Sequence, residues 1–403
     1  WMGVPLAVKQ YRSSQDQQDQ DIIEVKDSNM QQVILSRSVL VSYIVIGLCI
    51  LVWLVPARAQ DDVPMFYPPL PDGPRIQYLT SYSRASDVEE KEEKKSGWLS
   101  DFVLGEDGQE EDKGLNKPYG ISVRNGQIYV VDTRGSGYAI FDVAGKDYRF
   151  REGVGPANMP KPINIEIDDD GTKFVADTGR NQILVFDSND EFVRTIGKRG
   201  QFRPTDMIAD GSKLFVVDIE GHRIVVLDKS TGRELSSFGS PGSGDDNFFH
   251  PTNIAMGPNK HLYISDTSNF RVQEFTPDGQ FVRSYGGGVG TAPGSFARPK
   301  GVAVDREGRV YIVDAAFERV QVFNDQGRLL MYFGEPGSRH PSGLDLPTAI
   351  DIDYASGPYF QQYADPEFEL EFIIAVANQF GRSKVNVFGF GRHKSMSYEE
   401  DED

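Results

Sequence analysis

Five aspartates, Asp132, Asp177, Asp218, Asp266 and Asp314, each close a short apolar run. Arg223, Arg271 and Arg319 each follow their aspartate by five residues. Carboxylates so placed could ring a cation, because hard cations take oxygen ligands. The same residue types also cap a turn and brace it through charged hydrogen bonds. A role repeated in every unit is what structure demands, so these eight residues are read as repeat anchors. A second oxygen-rich set, Asn164, Asp206 and Asn253, with Asp351 further on, sits near the starts of other apolar runs. That set could coordinate a hard cation.

Other chemistry is thinner. Asp168-Asp169-Asp170-Gly171 begins like a calcium loop but lacks the later ligand positions and the glutamate at the twelfth. It reads as a hairpin turn, as does Asp305-Arg306-Glu307-Gly308. The glycine-rich stretch Gly286 to Gly290 follows a strand and precedes a loop, so it is a connection and not a phosphate cradle. No Ser-His-Asp constellation is visible. The only cysteine, Cys49, lies inside a hydrophobic run. The rest of the chain has no thiol, which excludes disulfides, zinc thiolates and cysteine nucleophiles. These residues assign no catalytic group and no cofactor.

The chain has 403 residues, a net charge of −18 and a hydrophobic fraction of 39%. Such a surface repels nucleic acid and anionic headgroups, and no basic patch offsets it. Partners are expected to be cationic or neutral proteins, or metal ions held loosely by surface carboxylates. Forty-one glycines and 23 prolines favour short strands and tight turns.

The elements that would position these residues follow from the chain's organisation. Residues 1–29 read as disordered or as a spurious upstream extension. Residues 30–59 contain the 17-residue run Val39 to Val55, preceded by Arg37 and followed by Pro56-Ala57-Arg58-Ala59. With Met30 as the start this is a signal peptide cleaved after Ala59, or an uncleaved membrane anchor, since the run is just long enough to span a bilayer. Either reading predicts export to the periplasm or cell surface. Residues 60–74 are a proline-rich linker, 75–393 the folded domain and 394–403 an acidic tail.

From Lys117 onward the chain repeats with a period of roughly 40–50 residues, which predicts a propeller. One unit shows the pattern fully: Arg298-Pro-Lys-Gly-Val-Ala-Val-Asp305, then Arg309-Val-Tyr-Ile-Val-Asp314, then Phe317-Glu-Arg-Val-Gln-Val-Phe323. Each unit supplies three or four short strands, the innermost being the Gly301-Val-Ala-Val304 type that crowds the axis. Aromatic or leucine residues closing the third strands (Phe186, Leu227, Phe275, Phe323, Phe388) would pack between blades. The sixth unit stops after Lys384 to Phe388 without a fourth strand. Arg75 to Tyr82 resembles the missing strand and is expected to close the ring, removing an exposed edge. The fold class is therefore all-β, a six-bladed propeller closed by an N-terminal strand.

The pattern Pro-x-Gly-Ile/Val-Ala-Val, Tyr-Ile/Val-Val-Asp, Arg-Val-Gln-Val-Phe resembles the NHL-repeat family of β-propellers, over about Lys117 to Phe388. The resemblance implies fold far more than function. The expected function is a non-enzymatic, protein-binding or scaffolding propeller outside the cytoplasm, its partner held on one face by the loops after Gly197, Gly239, Gly286 and Gly334. Six-bladed lactonases and esterases use axial calcium with Glu, Asn and Asp, and Asn164, Asp206 and Asn253 make a calcium-dependent hydrolase the alternative. A related peptide-amidating lyase holds zinc with axial histidines. Of His222, His250, His261, His340 and His393 only His250 stands before an innermost strand, which is one ligand and not a site. RNA binding, as in cytoplasmic NHL proteins, conflicts with the acidic surface and the export signal.

Overall fold

The computed structural model describes residues 64–89, 113–198, 200–286, 288–290 and 292–398. The readings of residues 1–59 as extension, signal peptide or anchor lie outside the described residues. Among the described residues no helix is long and apolar enough to cross a membrane.

The described residues form a six-bladed β-propeller. Every blade opens with a proline at the start of its innermost strand: Pro118–Arg124, Pro162–Ile167, Pro204–Asp210, Pro251–Met256, Pro299–Val304 and Pro347–Asp353. Proline needs no ladder partner for its nitrogen, so it is tolerated at a strand's first residue. In each blade the pairing register then shifts one or two residues beyond it, a bulge that sharpens the local twist. Second, third and fourth strands follow by antiparallel hairpins, as in Leu262–Asp266, Arg271–Phe275 and Phe281–Tyr285 of blade 4.

Apolar residues alternate along these strands and meet between blades. Phe275, fully buried, touches Phe248, Phe238 and Phe281 at ring separations of 5.4, 5.2 and 5.9 Å. Gly239 makes one such junction possible. Its φ is +90°, and a Cβ there would stand 2.5 Å from the Phe248 ring. The loops after Gly239 and Gly334 are partly ordered as short parallel pairs, Ser240–Pro241 with Asn247–Phe248 and Glu335–Pro336 with Gly343–Leu344.

Blade 6 has five strands, not four. Phe368–Asn378 and Val385–His393 follow the innermost strand; Ile76–Tyr82 pairs with Val385–His393, and Phe66–Tyr67 pairs with Ile76–Tyr82. Tyr78 stands opposite Phe388, their rings edge to face at 5.7 Å, and Ile76 and Tyr82 are buried. Within the segment expected as a free proline-rich linker, Phe66–Tyr67 joins this sheet. Phe66 is buried against Phe368 and His393, because an outermost strand with an apolar face needs cover. The stretch between Pro347–Asp353 and Phe368–Asn378 carries a one-turn helix, Gly357–Phe360.

Candidate functional site in the axial channel

The six innermost strands line a polar cavity of about 200 Å³ along the axis. Two residues after each strand-opening proline stand Gly120, Asn164, Asp206, Asn253, Gly301 and Ala349, and two further on Ser122, Glu166, Ile208, Ala255, Ala303 and Asp351. The period of two puts each set on one face of its strand. Glycine at position 120 is required by closeness: a Cβ there would meet the Asn164 Oδ1 at 2.1 Å.

The acidic side chains in this channel tie neighbouring blades together. Asp206 accepts the Met207 N–H on Oδ1 at 2.9 Å and the Ile254 N–H of the next blade on Oδ2 at 3.0 Å. Asp351 accepts Ile352 N–H at 2.8 Å and Val123 N–H at 2.7 Å, joining blade 6 to blade 1. Glu166 Oε1 accepts Ala209 N–H at 3.2 Å. Asn164 Oδ1 accepts its own strand's Ile165 N–H at 3.0 Å. Asn253 is different. Its side chain hydrogen-bonds to Asp206, yet its buried Oδ1 has no partner.

Electrostatics set the protonation of this group. Burial pushes Glu166 up to about 8, against the opposing pull of Arg124 and the Ala209 N–H, while Asp351 and Asp206 add to the rise. Burial likewise pushes Asp206 up to about 7, although three hydrogen bonds favour its charged form. Asp351 is raised by burial, with Arg124 opposing. Burial also disfavours the Arg124 charge, but Asp351, Glu166, Asp353 and Asp169 outweigh it and hold the guanidinium ionised. Its Nη2 donates to the Ile167 carbonyl at 3.3 Å. The channel thus holds carboxyls that titrate near neutrality beside one fixed cation, the pattern of an acid–base site.

The structure brings Asn164, Asp206, Asn253 and Asp351 into this one cavity and adds Glu166 and Arg124, which sequence reasoning passed over. Their signal was the alternation Ile163-Asn164-Ile165-Glu166-Ile167, whose polar residues share the axial face. Among the described residues no three or more His, Cys, Asp or Glu side chains are grouped to hold a metal. A cation here would rely on the carboxamides.

The repeat aspartates lie elsewhere, clamping each blade's loop to its innermost strand. Asp132 accepts from Lys117 N–H, Arg134 N–H and Gly135 N–H at 3.0, 3.0 and 2.8 Å. Asp177 accepts from Lys161, Gly179 and Arg180 N–H groups, and Asp314 from Ala297, Arg298, Ala316 and Phe317. Arg223 and Arg271 donate to Asp218 and Asp266 at 3.1 and 3.0 Å. Arg319 does not brace Asp314. Its guanidinium lies over the Tyr332 ring, 4.8 Å from the centroid. The histidines do not converge on the axis. His250 N–H donates to His222 Nδ1 at 3.0 Å, His261 pairs with Glu274, and His340 and His393 each bond a nearby serine.

No family model matches the chain. Over 116 residues it is 30% identical to the peptidylglycine alpha-amidating monooxygenase of Rattus norvegicus, covering 26% of this chain and 12% of that protein. A gluconolactonase from Xanthomonas campestris superimposes with a TM-score of 0.52 at 14% identity, over 82% of this chain and 96% of that one. A streptogramin B lyase gives 0.48 at 15% identity, over 68% and 94%. The monooxygenase and the gluconolactonase among them are enzymes. That overturns the expectation of a non-enzymatic propeller, which had rested on the regularity of the repeats; regular repeats fix the blades and leave the axial residues free to vary.

Proposed function

We propose that the axial channel is an active site for hydrolysis of a small ester or lactone, assisted by a hard divalent cation. One observation carries this reading: Glu166, held near pH 8 by burial, lines the same small cavity as the ionised Arg124. A carboxyl titrating close to neutrality is suited to taking a proton from water and returning it to the leaving oxygen. Arg124 would hold the oxyanion that develops at the carbonyl. Asp206, Asn253 and Asn164 each present side-chain oxygen to the channel lining, and the orphaned Asn253 Oδ1 is an acceptor with lone pairs to give, as calcium requires. Asp206, Asn253 and Asn164 are the residues that would hold such a cation, which would polarise the carbonyl. The similarity to a gluconolactonase of the same fold favours this class over others by analogy alone. The hydrophobic run Val39 to Val55 favours an extracytoplasmic setting, where weak calcium sites of roughly 10⁻⁴–10⁻³ M suffice. The blade pattern favours assigning the repeats to the NHL type.

The test is a panel of lactones and aryl esters assayed with and without calcium. Glu166→Gln is expected to lower turnover by about 10²–10⁴-fold, the usual worth of a general acid–base group. Wild-type protein with no turnover above buffer across the panel, or Glu166→Gln at the wild-type rate, would sink the reading.

A further inference from the structure

A cleft of about 950 Å³, larger than the axial cavity, opens between blades 5 and 6. One wall is the fourth strand of blade 5, Leu329–Phe333, which gives Leu330, Met331 and Tyr332 to the lining. The facing wall is the outermost segment of blade 6, which gives Phe66, Tyr67 and Pro68. Two arginines in the lining are already engaged. The Arg75 and Arg309 guanidiniums lie over the Phe390 ring, 4.6 and 4.5 Å from its centroid, and Arg309 also meets Asp305 at 2.6 Å. Asp72 and Glu335 line the cleft as well, and both are exposed.

The blade edges single out this wall. A strand that ends a sheet presents unpaired N–H and C=O groups, which proteins protect with charge or by covering them. The fourth strands of blades 1 to 4 all carry charge: Asp147–Glu152, Phe192–Ile196 with Arg194, Glu234–Phe238, and Phe281–Tyr285 with Arg283. The fourth strand of blade 6, Ile76–Tyr82, has none, and its first residues are covered by a fifth strand. There the Tyr67 carbonyl accepts the Arg75 N–H at 3.0 Å and the Met65 carbonyl accepts the Tyr78 N–H at 2.9 Å. Leu329–Phe333 has no charge either, yet among the described residues no strand pairs with its outer edge. Its Leu330 and Tyr332 side chains are exposed.

We infer that the cleft is a docking site for an extended peptide of apolar and basic residues, which adds to Leu329–Phe333 as a fifth strand. Phe66–Tyr67 makes the same kind of addition within the chain, to blade 6. Main-chain hydrogen bonds give such an addition its affinity, and pockets for alternate side chains give it selectivity. Apolar side chains at every second position fill the cleft, while basic ones between them stay at the rim with Asp72 and Glu335. The net charge of −18 draws the same class of peptide from solution. The site shares no residue with the axial channel, and its test needs no turnover.

The experiment titrates the full chain into a short fluorescein-labelled peptide of alternating valine and lysine and reads its anisotropy. Saturable binding is expected. The same peptide N-methylated at every amide keeps its charge but cannot pair, and should bind weaker by about 10-fold or more, the order of one net hydrogen bond. An alternating valine–glutamate peptide should bind at least as weakly. Tyr332→Lys puts a charge on the open edge and should weaken the valine–lysine peptide by a similar factor. Val193→Lys puts the same charge at an exposed position in the fourth strand of blade 2 and should leave binding unchanged. No saturable binding, equal binding of either control peptide, or equal behaviour of the two lysine variants would overturn the site. So would a dimer by light scattering that Tyr332→Lys dissolves, which would put a second copy of the chain on this edge. Fluorescence of an apolar dye that the peptide fails to displace would make the cleft a small-molecule pocket and overturn it too.

Discussion

Asp206 reaches across a blade boundary to hold Ile254: its Oδ2 accepts that residue's N–H at 3.0 Å while Oδ1 serves Met207 on its own strand. The innermost strands of a propeller do not pair with one another, so side chains of this kind are what stitch the blades at the axis. The axial carboxyls therefore serve stability whatever chemistry they also perform.

Asp206→Ala should leave the Ile254 N–H buried without an acceptor, costing about 1–3 kcal/mol in urea unfolding. Asp206→Asn keeps one acceptor and should cost less. Equal costs for the two would mean that the lost carboxyl charge, and not the bridge, carries the effect.

Stability should fall as pH rises from about 4 to about 8. Glu166 and Asp206 have folded values of about 8 and about 7, above the ordinary carboxyl range, so the folded state binds more protons in this window. Their contribution is full below the unfolded values and is lost as pH rises through the folded ones. Lys300 acts oppositely. Its folded value is depressed, so the unfolded state holds the extra proton and stability recovers from about 8 toward its ordinary value near 10.5. Melting temperature against pH should pass through a minimum near 8. Glu166→Gln should flatten the falling arm and Lys300→Met the rising one; a profile unchanged by both would contradict the assignment.

The two arginines that look alike in sequence should behave differently. Arg271→Ala leaves the buried Asp266 without its charged partner and strips hydrogen bonds from the Gly244 and Asn247 carbonyls, so a loss of about 3–5 kcal/mol is expected. Arg319→Ala removes only a contact with the exposed Tyr332 ring, worth about 0.5–1 kcal/mol. Chemical denaturation of both variants decides it.

Closure of the ring is open to the same kind of measurement. Tyr82 is buried against Phe141 and Phe360, and Tyr82→Ala should cost about 3–5 kcal/mol. Deleting everything before Ser83 should bare the Val385–His393 edge and give oligomers by light scattering. A monomer that melts like the intact chain would show closure by another route.

The propeller was legible because its period recurs in five clear copies, and the closing strand because Arg75 to Tyr82 fits the one gap the copies leave. The channel was half legible. Asn164, Asp206, Asn253 and Asp351 stood out as oxygen ligands near strand starts, whereas Glu166 and Arg124 looked like ordinary polar punctuation of a strand. Their importance comes from burial, which exists only once six strands surround them. Arg319 misled for the related reason that repeat position fixes the backbone, while the rotamer answers to whichever aromatic ring is near.

The pairing of Ile76–Tyr82 with Val385–His393 has a consequence for how the chain is made. Contacts such as Ser83 with Arg382 join residues 299 positions apart, so Ile76–Tyr82, paired locally only with Phe66–Tyr67, lacks its Val385–His393 partner until that strand is synthesised. At about 5–20 residues per second, that wait is on the order of 15–60 s. During it Ile76, Tyr78 and Tyr82 have no sheet to enter, and a chain halted before Val385 never acquires one. Synthesis of Val385–His393 is thus the event that permits this step of folding, and the circle closes only in a chain that extends through that strand.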